Sequence, residues 1–224
     1  MSNLKLESLA NVRQYLDEIA NLYASSFGEG NNPSEGWGER AACWQNTCTD
    51  PGKQAIVPYV EVGTPCPKCA TPMNEAYPLD WTVKYILSEL AYPNPIGFLG
   101  FIRSELVAVV WGYETSIEDI VTDKYRDDEE MQKLVANRVT EVRPDAASQS
   151  RHISEVFVSP SARRQFFATE LTKAMIKTPL PITVRTLATS SMASIARRIR
   201  LQQVIYEGED TVKPKRIFFV SPDN

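Results

Sequence analysis

Apolar positions recur at helical spacing in the first third of the chain. Val12, Leu16, Ile19, Ala20, Leu22 and Tyr23 form one stripe between Leu9 and Phe27, and Gly28 ends it. A second helical pattern runs from Asp80 to Leu90 on Trp81, Val83, Tyr85, Ile86 and Leu90. Pro93 and Pro95 stop it. The period then changes. Two apolar runs, 96–102 and 106–113, flank the polar turn Arg103, Ser104 and Glu105, which predicts an antiparallel hairpin. An acidic run then opens a helix that ends near Val142, where acids suit the helix dipole. A strand at about 151–159, a helix at about 164–177 and a strand over Ile182–Leu187 follow. A helix from Ser191 to about Leu201 and a hairpin pairing Gln203–Tyr206 with Arg216–Val220 complete the order. Helices interleaved with hairpins and single strands predict an α/β (α+β) fold. Its sheet is mixed and mainly antiparallel, flanked by helices.

Length and charge narrow the picture. The 224 residues suit one domain, 1–224, with segment 41–72 as a small insertion rich in Cys, Pro and Gly. With 24 basic and 28 acidic side chains the net charge is -4, which argues against non-specific nucleic-acid binding and suits a cationic substrate. No apolar run reaches the ~20 residues of a membrane helix. The first residues also lack the basic-then-apolar layout of a secretory signal. A cytoplasmic protein with reduced thiols is the expectation.

All four cysteines lie in the insertion. Cys43 and Cys48 form C-x4-C, and Cys66 and Cys69 form C-x2-C seventeen residues later. The second pair has the layout of a zinc-ribbon knuckle, in which two thiolates reach one tetrahedral ion. A closed, structural Zn2+ site is therefore expected. Two disulfides, or unconnected thiols, are the alternatives.

The richest segment is 152–171. It reads as a buried strand, a proline-marked exit, a loop carrying Arg163 and Arg164, and a helix start. Such a corner aims backbone N–H groups and two cations at one place, as a pyrophosphate requires. The strand end Val158-Ser159-Pro160, the arginine Arg163 and the small residue Ala168 resemble the acyl-CoA-binding motif of the GNAT superfamily of N-acyltransferases. Phe166 stands where that motif has its first glycine.

The resemblance implies a GNAT-like fold over about 80–220 and acetyl-CoA as co-substrate. Its cofactor contacts would be Val156, Phe157, Val158, Arg163, Arg164, Gln165, Phe166, Phe167, Ala168 and, at the start of the next helix, Ser191. Backbone N–H groups of Phe157 or Val158 would polarise the thioester carbonyl. The acceptor would be an amine on a small molecule, peptide or protein. Counting back six residues from Val158 to the family's usual base position reaches His152, the single histidine of the chain. Glu155 is the second candidate base. Regular alternation sets it on the face opposite His152 unless a bulge intervenes. The family's thiolate-protonating tyrosine has no counterpart in the last helix. Tyr206, on the next strand, is the nearest in sequence. A second reading keeps the fold without catalysis, as a binding protein acting through its zinc element.

Overall fold

A computed structural model describes residues 4–29, 38–49, 54–126, 128–177, 179–207 and 215–222. The chain opens with strand β1 (Leu4–Ser8), a 3-10 turn over Leu9–Tyr15 and helix α1 (Leu16–Gly28). Three short strands follow, β2 (Ala41–Cys43), β3 (Ala55–Val57) and β4 (Asn74–Glu75), then helix α2 (Leu79–Glu89). The predicted hairpin is β5 (Ile96–Ile102) with β6 (Glu105–Thr115). Two helices come next, α3 (Ile117–Lys124) and α4 (Glu129–Val142). Strand β7 (Ser150–Val158), helix α5 (Phe167–Ile176), strand β8 (Ile182–Leu187) and helix α6 (Ser191–Arg198) lead to β9 (Gln202–Glu207) and β10 (Arg216–Val220).

β1 and α3 lie outside the periodic pattern, as do the short strands β2, β3 and β4. β1 is a five-residue edge strand that exists through its pairing with β5, from Leu4 opposite Ile102 to Ser8 opposite Phe98. α3 is set locally by its cap, because the Ser116 hydroxyl accepts from the Asp119 N–H at 3.1 Å. The Asp128 carboxylate caps α4 in the same way, at 2.9 Å from the Met131 N–H.

Among the described residues, seven strands form one sheet in the order β1-β5-β6-β7-β8-β10-β9, and β3-β2-β4 form a separate small sheet. Every pairing in the large sheet is antiparallel except β7 with β8. One face is covered by α5 and α6, whose Phe167, Leu171, Met175, Ala193 and Ala196 pack on Val110, Ile153 and Val184. The other face carries α1 and α2 over Val109, Trp111 and Phe157, and α3 and α4 over Phe218 and Val220.

Strand β7 holds a bulge. Gly112 of β6 pairs with Ile153 and Trp111 pairs with Glu155, so Ser154 is an extra residue. One added residue reverses the facing of everything after it. His152 and Glu155 consequently point to the same side of the sheet, the side covered by α1 to α4.

Candidate active site

The parallel pair β7–β8 is short. Arg151, His152 and Ile153 pair with Ile182, Thr183 and Val184, and the strands then part. Between them, under α1 and the start of α5, lies a slot of about 670 Å³. Its walls come from β7 (Ile153 to Val158), the 162–169 loop and helix start, β8 (Val184 to Leu187) and the start of α6.

One end of the slot is the loop after β7. Pro160–Ala162 make a 3-10 turn, and Arg164 and Phe166 follow with φ of 64° and 65°. Left-handed backbone costs a non-glycine residue about 1–2 kcal/mol. Such turns aim successive N–H groups into a concavity suited to anions. Phe166 thus adopts the geometry that a glycine takes freely. The residue is 61% exposed, with the Arg198 guanidinium 5.1 Å from the ring centre. The first-turn N–H groups of α5 have no side-chain cap. They face the loop from the helix N-terminus, where the dipole favours negative charge.

The predicted cofactor residues mostly meet here. Val156, Phe157, Val158, Arg163, Arg164, Phe166, Phe167, Ala168 and Ser191 all line the slot, whereas Gln165 is not among its lining residues. Arg163 has a further task. Its Nη2 donates to the Ser26 carbonyl at 2.6 Å and its Nη1 to that of Glu29 at 3.4 Å, so it ties the loop to the C-terminal end of α1. Cations suit a helix C-terminus. Ser190, rather than Ser191, caps α6, accepting from the Ala193 N–H at 3.2 Å.

The other end is aromatic and acidic. Glu155 accepts from the Tyr85 hydroxyl at 2.8 Å and the Tyr23 hydroxyl at 3.3 Å. Tyr23 packs among Phe27, Tyr77, Tyr85 and Phe157, with ring centres 4.6 to 5.7 Å away. Burial pushes the Glu155 carboxyl up to about 7, against the pull of the Tyr85 bond; nearby Glu89 adds to the rise. Burial likewise raises the Tyr23 and Tyr85 phenols, and the Glu155 charge raises them further, so both remain donors. Glu39 lines the same end and accepts from the Tyr77 hydroxyl. Burial raises its carboxyl too.

His152 is not among the residues lining the slot. It is 3% exposed, its Nδ1 lies 3.0 Å from the Thr183 hydroxyl, and it sits between the Tyr113 and Phe218 rings. Burial, helped by the charges of Lys124 and Arg185, pushes its imidazole down to about 3. The ring is therefore neutral at working pH. Tyr206 is 45% exposed on β9 beneath the Lys215 ammonium, and it does not line the slot either. Sequence reasoning did not reach Tyr23, Glu39, Tyr77 or Tyr85. The signal available for Tyr23 and Tyr85 was a hydroxyl on an otherwise apolar helix stripe.

The four cysteines come together. Their sulfurs all lie within 4.8 Å of one another, with Cys43–Cys69 at 3.6 Å and Cys48–Cys66 at 3.8 Å. A disulfide needs about 2.05 Å, so none is formed. Four thiolates about 2.3 Å from one tetrahedral ion would stand about 3.8 Å apart, which fits these separations. The Lys68 N–H donates to the Cys66 sulfur at 3.4 Å, as in a metal knuckle. The small sheet β3-β2-β4 carries the cluster.

A sheet that parts at its parallel pair, beside a turn and a helix start, gives a mixed α/β fold of the GNAT type, and the chain shares that fold with solved acetyltransferase structures. Two solved structures align over nearly their full length. A mutant of agmatine N-acetyltransferase, in apo form, is 12% identical over 97% of this chain and 98% of that one, with a TM-score of 0.55. The protein yncA from Salmonella typhimurium, solved with its cofactor acetyl-CoA, is 8% identical over 99% and 94%, with a TM-score of 0.51. No protein-family model and no curated protein sequence matches the chain. Among the described residues no helix is long and apolar enough to cross a membrane.

Proposed function

We propose that the protein is an N-acetyltransferase that moves an acetyl group from acetyl-CoA to an amine. The observation that carries this reading is Glu155. A carboxyl near neutrality sits in the fork of the sheet, facing the cavity and opposite a turn suited to a pyrophosphate. An alkyl ammonium has a pKa of about 10.4 and cannot attack until it loses a proton. Glu155 takes that proton, directly or through water. The free amine then attacks the thioester carbonyl, the C–N bond forms, and the C–S bond breaks. The nitrogen sheds its second proton, and the thiolate, whose conjugate acid has a pKa of about 8.5, takes up that proton through water. The N–H groups from Arg164 to Ala168 and the Arg164 guanidinium hold the pyrophosphate, and the freed edge of β7 at Val156 to Val158 receives the thioester arm. On this reading His152 is a packed core residue and Tyr206 has no chemical role.

The four-cysteine cluster holds one structural Zn2+, with Cys43, Cys48, Cys66 and Cys69 as its closed ligand set. Residues 1–224 form one catalytic domain with 41–72 inserted in it, acting on its acceptor in the cytoplasm. A second reading, a binding protein without catalysis, draws on Phe166 at the glycine position and on Arg163 bonded to α1. Calorimetry with acetyl-CoA separates the two. Micromolar binding together with acetyl transfer to an amine supports the enzyme, and no heat at millimolar acetyl-CoA refutes it.

A further inference from the structure

Glu39 and Tyr77 stand at the two ends of the four-cysteine segment, and both line the slot. The segment leaves the body after Glu39, builds the small sheet and returns at Tyr77. Its ends are fastened together, because the Ala76 N–H donates to the Arg40 carbonyl at 2.9 Å and the Tyr77 hydroxyl donates to Glu39. They are also fastened to α1, because the Glu39 N–H donates to the Phe27 carbonyl at 3.0 Å and Arg40 Nε to that of Gly28 at 3.2 Å. The cysteine module therefore fixes where the Glu39 carboxylate points.

That carboxylate has spare capacity. Among the described residues, Tyr77 is the one side chain bonded to it, through Oε2. An ionised carboxylate accepts about four hydrogen bonds, so Oε1 remains for a ligand. Burial raises the Glu39 carboxyl, and the Tyr77 bond and the charge of Arg216, which lines the same cavity, oppose that rise without cancelling it. The surrounding wall is the face and edge of aromatic rings, with Tyr23 and Tyr77 packed edge-on at 5.3 Å and Phe27 6.0 Å from Tyr77. A carboxylate framed by aromatic rings recognises a cation.

We propose that Glu39 holds a second positive charge on the acceptor, apart from the amine that reacts at Glu155, so that the acceptor belongs to the diamine class. This rests on the acyltransferase reading for the role of Glu155, and the binding test is independent of turnover. Calorimetry at pH 8 compares 1,4-diaminobutane with butylamine on wild type, Glu39→Gln and Glu39→Asp. Wild type should bind the diamine about tenfold more tightly, the value of one charge-assisted hydrogen bond. Glu39→Gln should erase that preference, and Glu39→Asp should restore part of it. In turnover, Glu39→Gln should raise KM for the diamine about tenfold and leave kcat and the acetyl-CoA affinity within threefold. Equal affinity of wild type for the two amines, or an unchanged preference in Glu39→Gln, would overturn the proposal. If the preference holds but acetyl-CoA does not bind, the assignment of Glu39 stands and the acyltransferase reading fails.

Discussion

Replacing Glu155 by Gln removes one charge and little else. The amide oxygen still accepts from Tyr85 and Tyr23, which donate to the carboxylate at 2.8 and 3.3 Å. Burial opposes the charge of the wild-type carboxyl and pushes its pKa up to about 7. Below that pH the base is protonated, so kcat/KM should fall tenfold per unit as pH drops from 6 to 5. It should level toward pH 8 apart from the titration of the amine itself. A positioned general base contributes about 10²–10⁴-fold. Glu155→Gln should therefore lose at least 100-fold in kcat at pH 8 and lose the limb centred near 7. Acetyl-CoA binding, which depends on the far end of the slot, should stay within threefold.

The same substitution makes a stability prediction of opposite sign. A folded-state pKa above the unfolded value means that the native state binds more protons than the unfolded chain between about pH 4.5 and 7. Glu155 therefore favours folding at low pH, and this contribution is lost as pH rises through 7. The full shift would correspond to about 3 kcal/mol in a sealed site. Facing a cavity open to water, about 1–2 kcal/mol is the reasonable size. At pH 8 Glu155→Gln should melt higher than wild type, while at pH 4.5 the two should coincide. Release of CoA, followed by chromatography from pH 5 to 9, reads the first effect, and thermal melts across the same range read the second. An active Glu155→Gln enzyme whose pH profile matches wild type would refute the assignment of the base, whatever its stability.

Other perturbations test other parts of the structure. His152→Gln should leave the limb near 7 in place and lower the thermal midpoint, because the imidazole fills a buried site against Thr183; loss of the limb would return the base role to His152. The buried His152 also predicts that stability present above pH 6.5 falls as pH drops toward 3, since the unfolded imidazole takes a proton that the folded one refuses; this loss should be absent from melts of the His152→Gln variant. Phe166→Gly should relieve about 1 kcal/mol of left-handed strain and tighten acetyl-CoA binding several-fold by calorimetry. Metal analysis should find about one zinc per chain. Cys69→Ser should reduce that and raise KM for the amine more than that for acetyl-CoA. Gly112→Ala should destabilise the fold by about 1–3 kcal/mol in chemical melts, because a Cβ there would overlap the His152 carbonyl oxygen across the bulge.

The apolar periods announced α1, α2, the β5–β6 hairpin and the β7-to-α5 corner, because each buries a stripe or face set by its own residues. They did not announce β1, whose half-exposed residues become a strand only by pairing with Phe98 to Ile102. They gave no sign of α3, which depends on the Ser116 cap rather than on a long apolar stripe. The β7-to-α5 corner, where a pyrophosphate is proposed to sit, was legible because its residues are consecutive in the chain. The end proposed for the acceptor was not, because Tyr23, Glu39, Tyr77, Tyr85 and Glu155 come from separate elements and meet in the folded chain.

The choice of base turned on a single inserted residue. With regular alternation from His152, Glu155 would face α5 and α6, among Ile153, Val184 and Leu171. A carboxylate there would meet an apolar core and no phenol. Ser154 shifts the register by one, and Glu155 turns instead toward Tyr23 and Tyr85. The same step leaves His152 upstream of the fork, in the part of β7 still paired to β8. For the proposed acyl transfer, a base must stand beside the slot, where the strands have parted. Glu155 meets that condition and His152 does not. The bulge thus determines which of two nearby titratable side chains can reach a substrate. Its own side chain is bonded to Glu89, the carboxylate of α2 that helps raise Glu155. Ser154→Ala should therefore leave the register intact but free Glu89, and the limb near 7 should shift while kcat at pH 8 changes little.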